Sequence, residues 1–202
     1  MKLLNLGCGG VRIPSPEWTN LDDLHSQLPV GSPARAQLDS EPNYRNFVVL
    51  SGPLPFADNT FDTILASHFF EHFTAWDSVR IMEDCRRVLK PGGYLLVSVP
   101  DASYFRSIHA DDRNENWERL FDVVDPNNGH PTWMRAALYF EQHFQVLTED
   151  ALWCHLKMAG YDRINRHLGG DDTEIRGEAL PVAYAQLNRL KFSLIMSALK
   201  PL

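Results

Sequence analysis

The apolar run Lys2-Leu3-Leu4-Asn5-Leu6 breaks directly into Gly7-Cys8-Gly9-Gly10. A short hydrophobic segment that stops in glycines reads as a buried strand ending in a tight turn, because glycine accepts positive φ and lets another group approach the backbone. The chain is thereby committed to a sheet whose first strand ends at a ligand cradle. A second run, Trp18-Thr19-Asn20-Leu21, ends in Asp22 and Asp23, acids able to accept hydrogen bonds from the hydroxyls of a ribose. The glycine pattern alone fits an ordinary turn equally well, so the rest of the chain has to decide.

The rest alternates between strand and helix patterns. Pro14 and Pro16 deny backbone donors to a helix between the first two runs, so that connection is short or broken. Pro29, Pro33 and Pro42 make residues 24–45 irregular or weakly helical. Residues 46–50 (Asn-Phe-Val-Val-Leu), closed by Ser51-Gly52-Pro53, predict a third strand, and residues 60–67 a fourth. Val79, Met82, Cys85 and Leu89 recur every three or four positions and predict a helix over residues 75–89, with Lys90 in its last turn and Pro91-Gly92-Gly93 as its stop. Residues 94–99 are almost wholly apolar, as expected of a fifth strand covered on both faces.

Beyond residue 100 the character changes. Residues 101–145 are polar and aromatic, with turn signals at Asp125-Pro126-Asn127-Asn128-Gly129, and read as an insertion over the carboxyl ends of the strands, with one short helix near 116–121. Thr148 is a helix cap followed by Glu149 and Asp150, with Leu152 and Leu156 facing inward and Gly160 ending the helix. Residues 161–168 and 192–200 are late strands, and 180–190 a helical candidate between them. The fold class is α/β, a doubly wound, mostly parallel sheet in a single domain spanning 1–202.

Composition narrows the function. A chain of 202 residues can bury a sizeable core without staples, and its formal charge of −7 gives no field attractive to a phosphate polymer. The expected partner is therefore a small molecule, with neither nucleic acid nor membrane involved. Cys8, Cys85 and Cys154 form no C-x-x-C pair and suggest free thiols in a reducing compartment. With no apolar stretch near membrane-spanning length and no signal-like amino terminus, the expected location is cytoplasmic.

Five segments in order carry a resemblance: Leu4-Asn5-Leu6-Gly7-Cys8-Gly9, Trp18-Thr19-Asn20-Leu21-Asp22, Leu54-Pro55-Phe56-Ala57-Asp58-Asn59-Thr60-Phe61-Asp62, Ser67-His68-Phe69-Phe70-Glu71-His72 and Arg87-Val88-Leu89-Lys90-Pro91-Gly92-Gly93. This set resembles the motifs of class I S-adenosylmethionine-dependent methyltransferases, the type 11 branch in particular. The resemblance implies a seven-stranded Rossmann-like sheet, S-adenosyl-L-methionine as cofactor, and methyl transfer to an oxygen or nitrogen of a small-molecule acceptor. It implies that Leu6, Gly7, Cys8 and Gly9 hold the methionine part, with Asn5 where the family commonly has an acid. Asp22 would take the ribose hydroxyls, with Asp23 close by. Ser51, Gly52, Pro53 and Leu54 would border the adenine, while Ser67 and His68 would line the floor near the methyl group. The helix that often precedes the first strand is absent, which leaves one flank of the sheet either bare or covered by a second subunit in a homodimer.

The sulfonium is an activated donor, so the protein supplies alignment and, for a protonated acceptor, a base. His68 is the first candidate, followed by Asp101 and by His109 and His130 in the insertion. Other readings compete. His68-Phe69-Phe70-Glu71-His72 matches the H-x-x-E-H zinc motif of inverzincin peptidases, which requires both histidines on one helix. Here a strand leads directly into His68, so no metal ligand is assigned. His109, Asp111 and Asp112 read as loop residues, and Trp117, Phe121, Trp133 and Tyr139 either line a pocket or form a small core. A dinucleotide oxidoreductase would need a third glycine after Gly7-Cys8-Gly9. A non-catalytic cofactor-binding or scaffold protein stays open, to be separated by turnover.

Overall fold

The computed structural model describes residues 1–104, 143–167 and 193–202. Among them, seven strands form one sheet in the order β3-β2-β1-β4-β5-β7-β6. The strands are β1 (Leu3–Leu6), β2 (Trp18–Asp22), β3 (Tyr44–Asn46), β4 (Phe61–Ser67), β5 (Leu89–Pro100), β6 (Asp162–His167) and β7 (Ser193–Leu199). The first five pair in parallel, whereas β7 runs antiparallel to both β5 and β6. This is the mostly parallel α/β sheet expected from the alternating pattern. The insertion, the short helix near 116–121 and the helix over 180–190 lie outside the described residues.

One face of the sheet carries the main core. Helix α2 (Ala75–Val88) buries Val79, Ile81, Met82, Cys85 and Val88, and helix α3 (Glu149–Met158) buries Leu152 and Leu156 in the same cluster as Leu4, Leu6, Ile64 and Leu95. Each such aliphatic side chain contributes about 1.5–3 kcal/mol on burial. Thr74 and Thr148 cap the two helices by accepting from Asp77 N–H and Ala151 N–H. Gly160 adopts φ of +84° just past α3, and the Tyr161 hydroxyl donates to Met82 O of α2. On the opposite face Leu3, Ile13, Trp18, Leu65, Leu96 and Ile195 pack together.

Several boundaries differ from the sequence expectation. The third strand is Tyr44–Asn46 rather than 46–50, and Val49–Ser51 is a 3₁₀ turn. Strand β3 is at the edge and pairs only with β2; β2 stops at Asp22, whose carbonyl accepts from Phe47 N–H, and no ladder remains for the residues beyond. Val48 and Leu50 are accordingly half exposed. The connection after β2 contains a real helix, α1 (Pro33–Asp39), because Ser32 accepts from Arg35 N–H and Pro33 occupies the first turn.

Helix α2 ends at Val88, and Lys90-Pro91-Gly92-Gly93 belongs to β5 rather than to a helix stop. The register passes from Phe61↔Leu89 to Thr63↔Tyr94, so these residues form a bulge, with Gly92 at φ of +77°. The last carbonyls of α2, on Arg87 and Val88, accept from Asn59 N–H and Thr60 N–H, which ends the helix where strand pairing begins. Lys90 sits in the bulge and its Nζ donates to Asp62 at 2.7 Å.

The crossover from β1 to β2 contains no helix, as the prolines required. Its coil is held instead by asparagines. Asn5 Nδ2 donates to Val11 O and to Asn20 Oδ1, Ile13 N–H donates to the same Oδ1, and Asn20 Nδ2 donates to Ile13 O. Asn43 Nδ2 adds bonds to Ile13 O and Ser15 O. Asn20 is fully buried. Replacing it with valine strands at least the Ile13 N–H and one Asn5 N–H, and urea unfolding should register a loss of roughly 2–4 kcal/mol. A loss below about 1 kcal/mol would mean that the coil does not depend on this side chain.

Candidate functional site

The tips of β1 and β2 converge. Gly7 N–H donates to Leu21 O at 2.9 Å, and one Asp22 carboxylate oxygen accepts from Gly9 N–H at 2.6 Å while the other accepts from Asp23 N–H at 2.7 Å. Gly7 and Gly9 take φ of +66° and +50°, a region that side chains disfavour. At Gly7 the requirement is also steric, since a Cβ there would lie 2.1 Å from Cδ2 of Phe69. The Phe69 ring, itself buried, lies against the first glycine. At Gly9 and Gly10 a Cβ would meet nothing, so the second half of the turn faces open space.

These features fit the cofactor that the family resemblance implies. An open glycine face next to an acid whose oxygens retain accepting capacity is what a nucleoside bearing a charged tail needs. Asp23 stands beside Asp22, with one oxygen accepting from Asn46 Nδ2 at 3.3 Å. Asn5 is brought to the same turn but from below: it is buried, and both bonds from its amide nitrogen go to the coil. Leu6 is fully buried at the end of β1. Cys8 is buried too, and burial, reinforced by the nearby Asp22 charge, pushes its thiol up to about 12.

Residues 51–54 form a loop beside α2. Leu54 is buried and Ser51 is exposed, with its hydroxyl donating to Val48 O. A hollow of about 250 Å³ lies between Val49, Gly52, Pro53 and Leu54 on one side and Arg80, Ile81 and Asp84 of α2 on the other. Arg87 fixes this loop by donating to Leu54 O, Phe56 O, Asp58 and Asp84, and Asp84 in turn accepts from Leu54 N–H.

At the end of β4, Ser67 Oγ lies 3.1 Å from Ser98 Oγ, and His68 adopts φ of +49°, uncommon for a residue with a side chain. Strain of this kind concentrates at functional sites. His68 N–H donates to Ser98 O, Nδ1 lies 3.2 Å from a Glu71 carboxylate oxygen, and Nε2 lies 2.8 Å from Ser193 Oγ. A 3₁₀ turn at Phe70–His72 follows, so His68 and His72 do not share a helix and the inverzincin geometry is not met.

Asp101 follows β5, and its oxygens are engaged by Ser103 N–H at 2.8 Å and by Arg166 at 3.1 Å. This placement makes it a clasp between the end of β5 and β6. His109 and His130, together with Asp111, Asp112, Trp117, Phe121, Trp133 and Tyr139, lie outside the described residues. Sequence reasoning gave Glu71 only its place in the H-x-x-E-H pattern and did not single out His143. Glu71 is fully buried, and Phe144 N–H donates to its carbonyl at 2.8 Å, bringing the segment after residue 142 against the turn.

The burial of the thiols has a chemical signature. Cys85 is also pushed up by burial, whereas Cys154 is exposed. At neutral pH a thiol reagent should label Cys154 quickly and reach Cys8 and Cys85 only on unfolding. Mass spectrometry that found Cys8 labelled in the folded protein would contradict this packing of the turn.

Comparison with known proteins agrees with this geometry. Residues 4–97 match the family described as methyltransferase domain, type 11. The chain is 30% identical over 172 residues to a ubiquinone biosynthesis O-methyltransferase of Cereibacter sphaeroides, an alignment covering 82% of this chain and 62% of that protein. It thus spans about three fifths of the length of this curated relative. Among solved structures, an S-adenosylmethionine-dependent methyltransferase from Methanosarcina mazei shares the fold with a TM-score of 0.57 at 18% identity, covering 100% of this chain and 92% of that one. One from Archaeoglobus fulgidus does so with a TM-score of 0.56 at 14% identity, covering 98% and 86%. The strand order is thus that of solved S-adenosylmethionine-dependent methyltransferases, and residues 4–97, a little under half of the chain, match a methyltransferase domain.

Proposed function

We propose that the chain transfers the methyl group of S-adenosyl-L-methionine to an oxygen or nitrogen of a small-molecule acceptor. The observation that carries this reading is the convergence of the β1 and β2 tips, which brings the open face of Gly9 against the Asp22 carboxylate. The relative named as an O-methyltransferase favours oxygen. No helix among the described residues is long and apolar enough to cross a membrane; we assign the protein to the cytoplasm on its three free cysteines. A homodimer is part of this reading; a monomer by light scattering would remove it.

The bound cofactor supplies the activated methyl group, and the chain's own residues do the rest. Leu6 to Gly9 and Asp22 would hold and orient the cofactor, with Asp23 close by, Ser51 to Leu54 would border its base, and Ser67 and His68 would lie at the floor. His68 accepts the acceptor's proton at Nε2. The Glu71 carboxylate, 3.2 Å from Nδ1, steadies by its charge the imidazolium that results. Apolar walls such as Phe69 exclude water from the transfer.

Asp22→Ala should weaken S-adenosylmethionine binding by roughly tenfold or more in calorimetry, the loss of a charge-assisted hydrogen bond. His68→Ala should leave that affinity nearly unchanged and cut turnover by about 10²-fold or more, measured as labelled methyl transfer over an acceptor panel. A fully active His68→Ala protein would remove the base assignment. Absence of turnover on every acceptor with intact cofactor binding would favour the non-catalytic reading, and tighter binding of NAD would favour an oxidoreductase.

Gly9→Ala separates cofactor contact from folding. The added methyl meets nothing within the protein, so its cost to stability is that of positive φ, about 1–2 kcal/mol. Cofactor affinity should nevertheless fall by about tenfold or more, because the cradle requires close backbone approach. Unchanged affinity would place the cofactor elsewhere.

A further inference from the structure

Glu71 is 1% exposed, and among the described residues neither of its carboxylate oxygens has a hydrogen-bond partner. Its contact with His68 Nδ1, at 3.2 Å, has the proximity of an ion pair without the alignment of a hydrogen bond. The Gln145 amide does not relieve it: Nε2 donates to Phe70 O and Ser78 Oγ instead. A carboxylate taken out of water in this way is costly to the fold unless something of opposite charge meets it.

Two imidazoles stand where such a charge would be held. Ligating atoms of Glu71, His72 and His143 all lie within 4.8 Å of one another. The His72 and His143 rings meet edge to face, with centroids 4.9 Å apart. Their proximity is built by bonds to the carbonyls of the turn, since Phe144 N–H donates to Glu71 O and the Gln145 side-chain Nε2 donates to Phe70 O, which fastens residues 143–145 along the 3₁₀ turn. Both histidines are half-buried, giving an ion a way in, while the acid is sealed beneath them.

We propose that Glu71, His72 and His143 form a binding site for a divalent transition-metal ion of the Zn²⁺ type. Two imidazoles and one carboxylate are a donor set that Zn²⁺, Co²⁺ and related borderline ions take, and that Mg²⁺ and Ca²⁺, which prefer oxygen, do not. Donors around a tetrahedral ion stand roughly 3.3 Å apart, so the three side chains need to close by only about 1–1.5 Å. Three protein ligands leave a further position for water or for an oxygen of a small molecule. The arrangement is distinct from the H-x-x-E-H pair, because His68 is not one of the ligands and His143 comes from a different part of the chain. Metal binding is read directly and needs no methyl transfer, so it can succeed or fail independently of the proposed activity.

The test uses the untagged full-length chain, stripped with a chelator and titrated with Co²⁺. We expect one Co²⁺ per chain with visible absorption of a low-coordinate cobalt–imidazole site, displaced by stoichiometric Zn²⁺. His72→Ala and His143→Ala, each checked for folding by circular dichroism, should each weaken binding by roughly tenfold or more, whereas His68→Ala should retain it. Retained affinity in both of the first two variants, or loss only in His68→Ala, overturns the assignment. If a variant fails to fold, the unmutated chain decides: no saturable cobalt band at micromolar metal, or a band that Zn²⁺ does not displace, also overturns it.

Discussion

The site depends on how a helix-free coil is kept inside the protein. A crossover between parallel strands ordinarily satisfies its own backbone by becoming a helix, and the prolines at 14 and 16 remove that route. Buried N–H and C=O groups must still find partners. Asn20 answers with both ends of its amide, accepting from Ile13 N–H and Asn5 and donating to Ile13 O, while Asn43 adds a further donor from beside β3. A side-chain amide does here what the next helical turn does elsewhere. Because Asn5 is on β1 and Asn20 on β2, the same bonds set the spacing of the two strand tips, and the glycine turn and Asp22 inherit it.

The motif residues divide into those that build the scaffold and those that face the crevice. Arg87 belongs to the first group: it gathers Asp58, Asp84 and two loop carbonyls, and these neighbours hold its guanidinium above its usual range, its hydrogen bond to Asp84 foremost. Asp62 ties Lys90 and the Lys2 N–H, joining the starts of β1 and β4 to the bulge of β5. Exposed ion pairs of this kind add little energy individually, and their effect is to fix the register of loops that the main core leaves undetermined. On the proposed function the second group is small: the glycine turn, Asp22 and His68.

Strong periodicity and capping made most of the fold legible. The covered face of α2, the Thr148 cap and the late strands could be read because each rests on local pattern, and the ordered motifs implied the sheet. The third strand could not be placed that way, since an edge strand ends where its neighbour ends and apolar residues 47–50 carry no trace of where β2 stops. Nor could the Pro91 bulge, in which residues that usually halt a helix instead kink a strand. At the site, the meeting of Gly9 with Asp22 follows from two strand ends that sequence identifies. The neighbours that hold Asn5 and Asp101, the coil carbonyl of Val11 and the Arg166 guanidinium, are likewise absent from any local pattern around those two residues. The approach of His143 to His72 has no local signal at all, because it is made by tertiary contacts between segments far apart in the chain.

Strand β7 follows every other described strand in sequence yet lies between β5 and β6. During synthesis, therefore, the long β5 keeps one row of N–H and C=O groups without a neighbour until residues 193–199 leave the ribosome, and β6 has no place to dock before then. An open edge of that length invites pairing with other nascent chains. The half-finished sheet is thus a natural client for chaperones, and a stalled or prematurely terminated chain would be sticky rather than merely inactive.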